Sequence, residues 1–451
     1  MEGEGNVKVL LVPPLVEQHL KYFLELLDEE HLREWFTFFL PHPLPLTSVA
    51  TVDVEKLLEM CRQMIREHNI TVVFANQQIG ILLSAILSQE FAKISAVNIE
   101  SVFLCSHKFY TWKYLNSRVD KLPCSAIAVK DDAYEFAVNV MSEIALPCSL
   151  SGAYQDQSWH AHDRDELMEA VKKCGCSARK DKNLYFHLID PIINDSKYSY
   201  ASKSMIVASN YIEPQASAMT QDGPMSVKVF VEAYVFEGEL VPWAMVSEMI
   251  PSHRALSNQF FMGYEMPSGL PQCQQTNLWS AFKSDVKNLQ KIGFNNSFVY
   301  GQYEVYRDGY IHLIKLVPTA HTELTHLYRH ALSQGNNLHA ALQLALGIKP
   351  DPPKPNGSHV VCHRMQMKCM SPGKLSDVIR FDKAAAHDGV ILRCLPEDQI
   401  DKSMVYKTIP LGIIVVKGAD VEVCLNKILE IRNEVLRKPK LVPLTRPFSS
   451  L

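Results

Sequence analysis

Residues 299–319 read Val299-Tyr300-Gly301-Gln302-Tyr303-Glu304-Val305-Tyr306-Arg307-Asp308-Gly309-Tyr310-Ile311-His312-Leu313-Ile314-Lys315-Leu316-Val317-Pro318-Thr319. Two runs rich in aromatic and β-branched residues flank Asp308-Gly309, a dipeptide suited to a tight turn, so the stretch predicts a β-hairpin. Few side chains in it carry chemistry. Glu304 falls on the outgoing strand and Lys315 on the returning one. Opposite charges on neighbouring strands ordinarily pair, and pairing with Lys315 is a stronger reading of Glu304 than metal ligation.

A similar plan precedes it. Val227 to Phe236, Glu237-Gly238 and Val241 to Ser247 read as strand, tight turn and strand. Nearer the N-terminus, Val7 to Val12 is an apolar run closed by Pro13-Pro14 and predicts a buried strand. Residues 15–39 carry helical periodicity, with Leu20, Phe23, Leu24 and Leu27 on one face and Glu25, Asp28 and Glu29 on the other. Val54 to His68 predicts an amphipathic helix, Thr71 to Phe74 a strand and Gln78 to Phe91 a further helix. This alternation implies a parallel, Rossmann-like sheet. Asp163 is a natural N-cap for a helix reaching Lys173, while 174–204, rich in Lys, Asp and Ser, predicts surface loops. Lys349 to Gly357 is a proline-rich connector. Beyond it, strands at 359–370, 389–394 and 411–417 and a helix from Val421 to Leu436 make a small α+β appendage.

The chain has 451 residues, enough for two or three domains or for one enzyme of interlocked subdomains. Apolar residues make up 47%, charged residues 21%, and the formal net charge is -4, which argues against nucleic acid or a charged membrane surface as partner. No apolar run approaches the roughly 18 residues of a membrane span, and the acidic opening is unlike a secretory signal, so a cytoplasmic location is expected. Eleven cysteines without a CxxC pair predict reduced thiols. Without a secretory route, the glycosylation-type triplets at Asn69, Asn194, Asn295 and Asn356 read as chance matches.

Three further segments carry a resemblance. Ser106-His107-Lys108-Phe109-Tyr110 is followed by Leu122-Pro123. The run Val229 to Val241 is followed by Val246-Ser247-Glu248, Pro251 and Arg254. Met266-Pro267-Ser268-Gly269-Leu270-Pro271 comes next. Together they resemble ATP-grasp ligases of the carnosine synthase type, which join a carboxylate to an amine through an acylphosphate. The resemblance implies an α/β and α+β, ATP-grasp-like chain. Its parts would be a Rossmann-like domain at 1–118, a lid subdomain at 119–215, an antiparallel-sheet nucleotide-site subdomain at 216–348 and a C-terminal appendage at 358–451. It also implies ATP and Mg²⁺ as cofactors, a nucleotide or other small molecule as ligand, and a homodimer as the assembly common among related ligases.

Position by position, the chemistry implied by the resemblance is eroded. Glu304 stands where the first metal-binding glutamate belongs. On the returning strand the second glutamate is Lys315, the asparagine is Val317 and the arginine that stabilises transferring phosphate is Thr319. The lid lysine aligns with Ser151, and the hinge acid with Ala208-Ser209-Asn210-Tyr211. An ammonium in place of a metal carboxylate changes the local charge by about two units, so two-metal binding should fail and any ATP or Mg²⁺ binding should be weak or absent. What remains by resemblance is His107, Lys108 and Asn210 for a nucleotide, Arg254 for a substrate anion and Glu304 for a metal.

Other readings stand beside these. The His107-Lys108 pair also reads as solvated helix surface. His326 and His330, four apart, could join His321 or Glu323 around a transition metal, although a histidine-rich helix is more often ordinary surface. Trp159-His160-Ala161-His162-Asp163 reads as a strand running into a helix cap rather than a chelate. No GxSxG, HExxH or GxxxxGK signature is present. The leading expectation is a catalytically impaired ATP-grasp protein with a binding or regulatory role. The alternatives are an active ligase whose metal ligands are drawn from Glu232, Glu248 or Glu323, and a purely structural protein.

Overall fold

The computed structural model describes residues 6–12, 35–42, 53–75, 78–93, 95–116, 124–128, 146, 148–152, 158–189, 198, 205–210, 226–249, 263–368, 372–400 and 408–437. The chain divides into two compact units: Met1–Met245, Leu270–Glu323 and Asn336–Pro352 form the first, and Val246–Gly269, Leu324–Gly335 and Pro353–Leu451 the second. The last exchange between units falls at Pro352 and Pro353, inside the proline-rich connector.

The first unit opens with a three-stranded parallel sheet of β1 (Val7–Leu11), β2 (Phe36–Phe39) and β3 (Val72–Phe74), in the order β2-β1-β3. Val9 stands opposite Phe38 on one side and Val72 on the other. Helix α1 (Val54–His68) crosses between β2 and β3. The Asp53 carboxylate accepts the Lys56 N–H at 3.1 Å to cap it, and Val54, Leu57, Leu58, Cys61 and Ile65 form its buried stripe. Helices α2 (Gln78–Glu90) and α3 (Ile99–Ser106) are apolar on most sides and enter the same core. The predicted α/β pattern is therefore present, with one correction. Phe36–Phe39 is a strand, not the end of a helix, because its three phenylalanines suit a parallel ladder beside β1. Residues 15–34 lie outside the described residues.

A second, antiparallel sheet contains β4 (Cys124–Ala128), β5 (Cys148–Gly152), β6 (Ser158–Ala161) and β7 (Met205–Asn210), in the order β4-β7-β5-β6. Helix α4 (Arg164–Ile189) packs Leu167, Ala170, Val171 and Cys174 against Leu150, Ile206 and Ala208. Asp163 caps α4 as expected, accepting the Glu166 N–H at 2.9 Å. The helix does not stop at Lys173, however. It runs through 174–189, where Ala, Arg, Lys and Leu are all good helix formers and outweigh the loop signal of the polar composition.

The third sheet of this unit is antiparallel and holds both predicted hairpins. Strands β8 (Ser226–Phe236) and β9 (Glu239–Met249) are joined by Glu237 and Gly238, whose φ values of 48° and 82° are what a two-residue hairpin turn of this hand demands. Asn296 and Asn295 hold that turn by accepting the N–H groups of Glu237 and Gly238, each at 3.0 Å. Strands β11 (Ser297–Tyr306) and β12 (Ile311–Val317) extend the sheet in the order β12-β11-β8-β9. Helix α5 (Gln272–Gln290) covers one face, burying Leu278, Phe282, Val286 and Leu289 with Val229, Val231, Tyr303 and Val305.

In the second unit the end of β9 pairs with β10 (Gly263–Met266), followed in the sheet by β13 (His359–Lys368), β15 (Thr408–Gly418) and β14 (Val390–Leu392). Helix α6 (Thr325–Ala331) belongs to this unit, whereas α7 (Asn337–Ala345) belongs to the first. Helix α8 (Val421–Val435) packs Cys424, Ile428 and Ile431 on Val361, Met365, Ile414 and Val416, giving the expected α+β appendage a core of its own. Among the described residues Cys61, Cys105, Cys148, Cys273 and Cys424 are free thiols. Among the described residues no helix is long and apolar enough to cross a membrane.

Candidate functional site

Period-two alternation decides what the β8-β11-β12 face displays. On β11 the odd-numbered residues Val299, Gly301, Tyr303 and Val305 are buried, while Tyr300, Gln302, Glu304 and Tyr306 point to the opposite face and are half-buried. Register adds their neighbours on β8: Ser226 stands opposite Tyr306, Lys228 opposite Glu304, Phe230 opposite Gln302 and Glu232 opposite Tyr300. On β12, His312 is opposite Glu304 and Leu313 opposite Tyr303, but Lys315 is opposite Gln302. The extra residue is Ile314, a one-residue bulge. In a regular ladder that paired Ile314, Lys315 would fall on the core face; because Ile314 is bulged out of the pairing, Lys315 and Val317 join Glu304 on the polar face.

The structure corrects the pairing expected for Glu304. Its two oxygens are engaged by hydroxyls, Oε1 accepting from Ser226 Oγ at 2.8 Å and Oε2 from Tyr306 OH at 3.0 Å. Across β12 it faces His312 rather than Lys315, because the four-residue turn at 307–310 sets the register at this end of the hairpin. Among the described residues Lys315 and Lys228 make no ion pair. Sequence reading missed Ser226, Tyr306 and Lys228. Their signal was present as alternate polar positions beside the apolar set Val227, Val229 and Val231, but assigning them to Glu304 requires the register.

Beyond β12, Thr319 is buried and its Oγ1 donates to the Ala75 carbonyl at 3.3 Å, at the end of β3. With Ala75, Ser84, Ser95 and Ala320 it lines a cavity of about 60 Å³. Ligand pockets run to roughly 300–1,000 Å³, so this one holds no nucleotide. Farther along the sheet the Glu232 carboxylate is completely buried and accepts the His321 N–H at 3.0 Å and the Asn337 amide at 3.1 Å. Asn337 also donates to the His321 carbonyl at 3.2 Å, and the His321 ring packs on Phe230 and Tyr300. Glu232 lies four residues along the strand from the level of Glu304, about 13 Å, so the two carboxylates do not share an ion.

The remaining candidates are dispersed. His107 is not on a surface: it is fully enclosed, its ring 5.6 Å from that of Phe103 and 4.6 Å from that of Tyr110, and burial holds it neutral with a pKa lowered to about 3. This leaves it no face for a nucleotide. Lys108 is half-buried just after it. Ser151 is buried in β5 between Val207 and Ser158, and Asn210 ends β7 opposite Cys148. Arg254 lies outside the described residues. His326 is buried on α6 with its pKa also lowered to about 3, first by burial and then by Arg329, His330 and Arg393, while His330 is exposed. His160 is exposed on β6, which does lead into the Asp163 cap. Among the described residues no group of three or more His, Cys, Asp or Glu side chains is placed to hold a metal ion.

No family model matches the sequence. No curated protein matches it either. Solved structures do. An L-amino acid ligase from Bacillus licheniformis superposes with a TM-score of 0.67 at 14% identity, covering 97% of this chain and 100% of that one. A phosphoribosylglycinamide synthetase from Anaerococcus prevotii gives 0.63 at 13% identity, covering 96% and 100%. The biotin carboxylase of Campylobacter jejuni, solved with an ATP analogue, gives 0.63 at 12% identity, covering 95% and 91%. This chain has the ATP-grasp fold. At such identities the likeness speaks for the ATP-grasp architecture alone.

Proposed function

We propose that this ATP-grasp chain is a catalytically impaired relative of carboxylate–amine ligases that has kept the scaffold for a binding or regulatory role. One observation carries the proposal. Lys315, which the carnosine synthase-type pattern would replace with a metal-binding glutamate, is turned by the Ile314 bulge onto the same face as Glu304. A divalent ion placed beside Glu304 would meet that ammonium at a cost of several kcal/mol. Two further features point the same way. Both oxygens of Glu304 are already engaged by Ser226 and Tyr306, and the third ligand position is Val317. In the arginine position, Thr319 is tied back to Ala75.

The active-ligase alternative needs acids that converge on Glu304, and Glu232 is committed to His321 and Asn337 instead. Cytoplasmic residence is part of the proposal, supported by the free cysteines, as is a nucleotide or other small anion as ligand. The test is an assay of the full-length protein with Mg-ATP and a mixture of L-amino acids, following ADP, phosphate and amide products by mass spectrometry. ADP and phosphate at the protein-free background are expected. Stoichiometric ADP accompanied by a ligated product would overturn the proposal.

A further inference from the structure

Two lysines share the Glu304 face, one on each side of β11. Lys228 is exposed and stands opposite Glu304; Lys315 is half-buried and stands opposite Gln302. Their Cα positions are two strands apart and two residues out of step, about 12 Å, so both ammonium groups reach over the same patch of β11. The charged groups and the histidine on this face are Lys228, Glu232, Glu304, His312 and Lys315; the Glu304 carboxylate is held by the Ser226 and Tyr306 hydroxyls, and that of Glu232 by the His321 N–H and the Asn337 amide. Among the described residues neither lysine has an ion-pair partner. Lys315, half-buried and without an ion pair, is an unfavourable arrangement in the free protein, and an anion with several oxygens relieves it. The Gln302 amide lies between the two.

In a metal-dependent site, divalent ions bridge carboxylates to phosphate oxygens. Here the charge is inverted, and ammonium groups can meet the phosphate directly. We propose that this face binds a di- or triphosphate chain through Lys228 and Lys315 with no divalent metal. The proposal rests on the reading that the metal carboxylates are lost, and it names the ligand chemistry of the site that remains. Magnesium competes with such a clamp, because Mg²⁺ neutralises the charge that the lysines recognise.

The experiment is isothermal titration calorimetry of the full-length protein at low salt in EDTA, with ADP and inorganic pyrophosphate as separate probes, repeated in excess Mg²⁺. Binding in EDTA that Mg²⁺ leaves unchanged or weakens is expected. Lys315→Gln and Lys228→Gln should each weaken it by at least about tenfold, the loss of one charge-assisted hydrogen bond, while Lys315→Arg stays within about threefold of the parent. Lys228 is exposed, so its variant should melt like the parent and keeps the test valid if Lys315 variants fold poorly. Tighter ADP than pyrophosphate identifies a nucleotide ligand, and equal affinities identify the phosphate chain alone; both support the clamp. Absence of binding in EDTA, a requirement for Mg²⁺, or indifference to both lysines overturns it. Those results, with ATP turnover still absent, leave the loss of catalysis standing, whereas turnover would remove that reading first.

Discussion

Glu304 is an acceptor for two hydroxyls, so its removal is felt as a structural change. In Glu304→Ala, Ser226 and Tyr306 lose their acceptor on a half-buried face, and a loss of about 1–2 kcal/mol is expected in urea unfolding, with Glu304→Gln closer to the parent. A Glu304→Ala variant as stable as the parent would contradict this assignment. Glu232 should matter more. Its carboxylate joins β8 to the His321 backbone and to Asn337 inside the core, so Glu232→Ala is expected to cost about 3 kcal/mol or more by the same measurement. His107 and His326 give the chain a pH dependence. Each titrates at about 3 in the folded chain against the ordinary 6.5. Between those values only the unfolded state binds the proton, so stability is full above pH 6.5 and falls by about 1.4 kcal/mol per pH unit for each histidine as pH drops. His107→Phe fits the aromatic surroundings of Phe103 and Tyr110 and should remove one histidine's share of the slope between pH 7 and 5. An unchanged slope in that variant would mean His107 is not the buried neutral group described.

At the level of elements, the bulge in β12 controls what the hairpin presents. Deleting Ile314 removes only the extra residue: Leu313 stays opposite Tyr303, Lys315 opposite Gln302 and Leu316 opposite Gly301 in unbroken alternation, so the deletion should cost less than about 1 kcal/mol in urea unfolding. A deletion variant whose urea midpoint falls far below the parent's would show that Ile314 is not simply an extra residue in this ladder. Both hairpins were legible from Glu237-Gly238 and Asp308-Gly309, because turn chemistry and period-two patterning are local properties. The bulge was not. Its trace in the sequence is only that Ile314 and Lys315 fall between Leu313 and Leu316, and which of the two is extra depends on pairing with β11. That Glu304 neighbours Lys228 and His312 rather than Lys315 follows from the turn's register and from pairing with β8, neither of which the local pattern contains. Helix α4 outran its prediction because composition describes a solvated face as readily as a loop. Phe36–Phe39 changed type because a short aromatic run is decided by the strand beside it. His107 read as surface from its neighbour Lys108, and only tertiary packing shows it enclosed.

For the whole molecule, an architecture shared with ATP-grasp ligases over nearly its full length coexists with a sheet face that carries Lys228 and Lys315 beside Glu304. Burial of α5 and of the β8 and β11 core residues maintains the sheet irrespective of what its other face displays, so scaffold and chemistry can part. On the proposed reading the face around Glu304 does not hold divalent metal. Electron paramagnetic resonance of Mn²⁺ measures this most directly, by counting free aqueous ion as full-length protein is added to Mn²⁺ and ADP. The free-ion signal should be no smaller than in a control containing ADP without protein, and Glu304→Gln should not raise it. Removal of one or two equivalents of Mn²⁺ per chain, reversed by Glu304→Gln, would contradict the account.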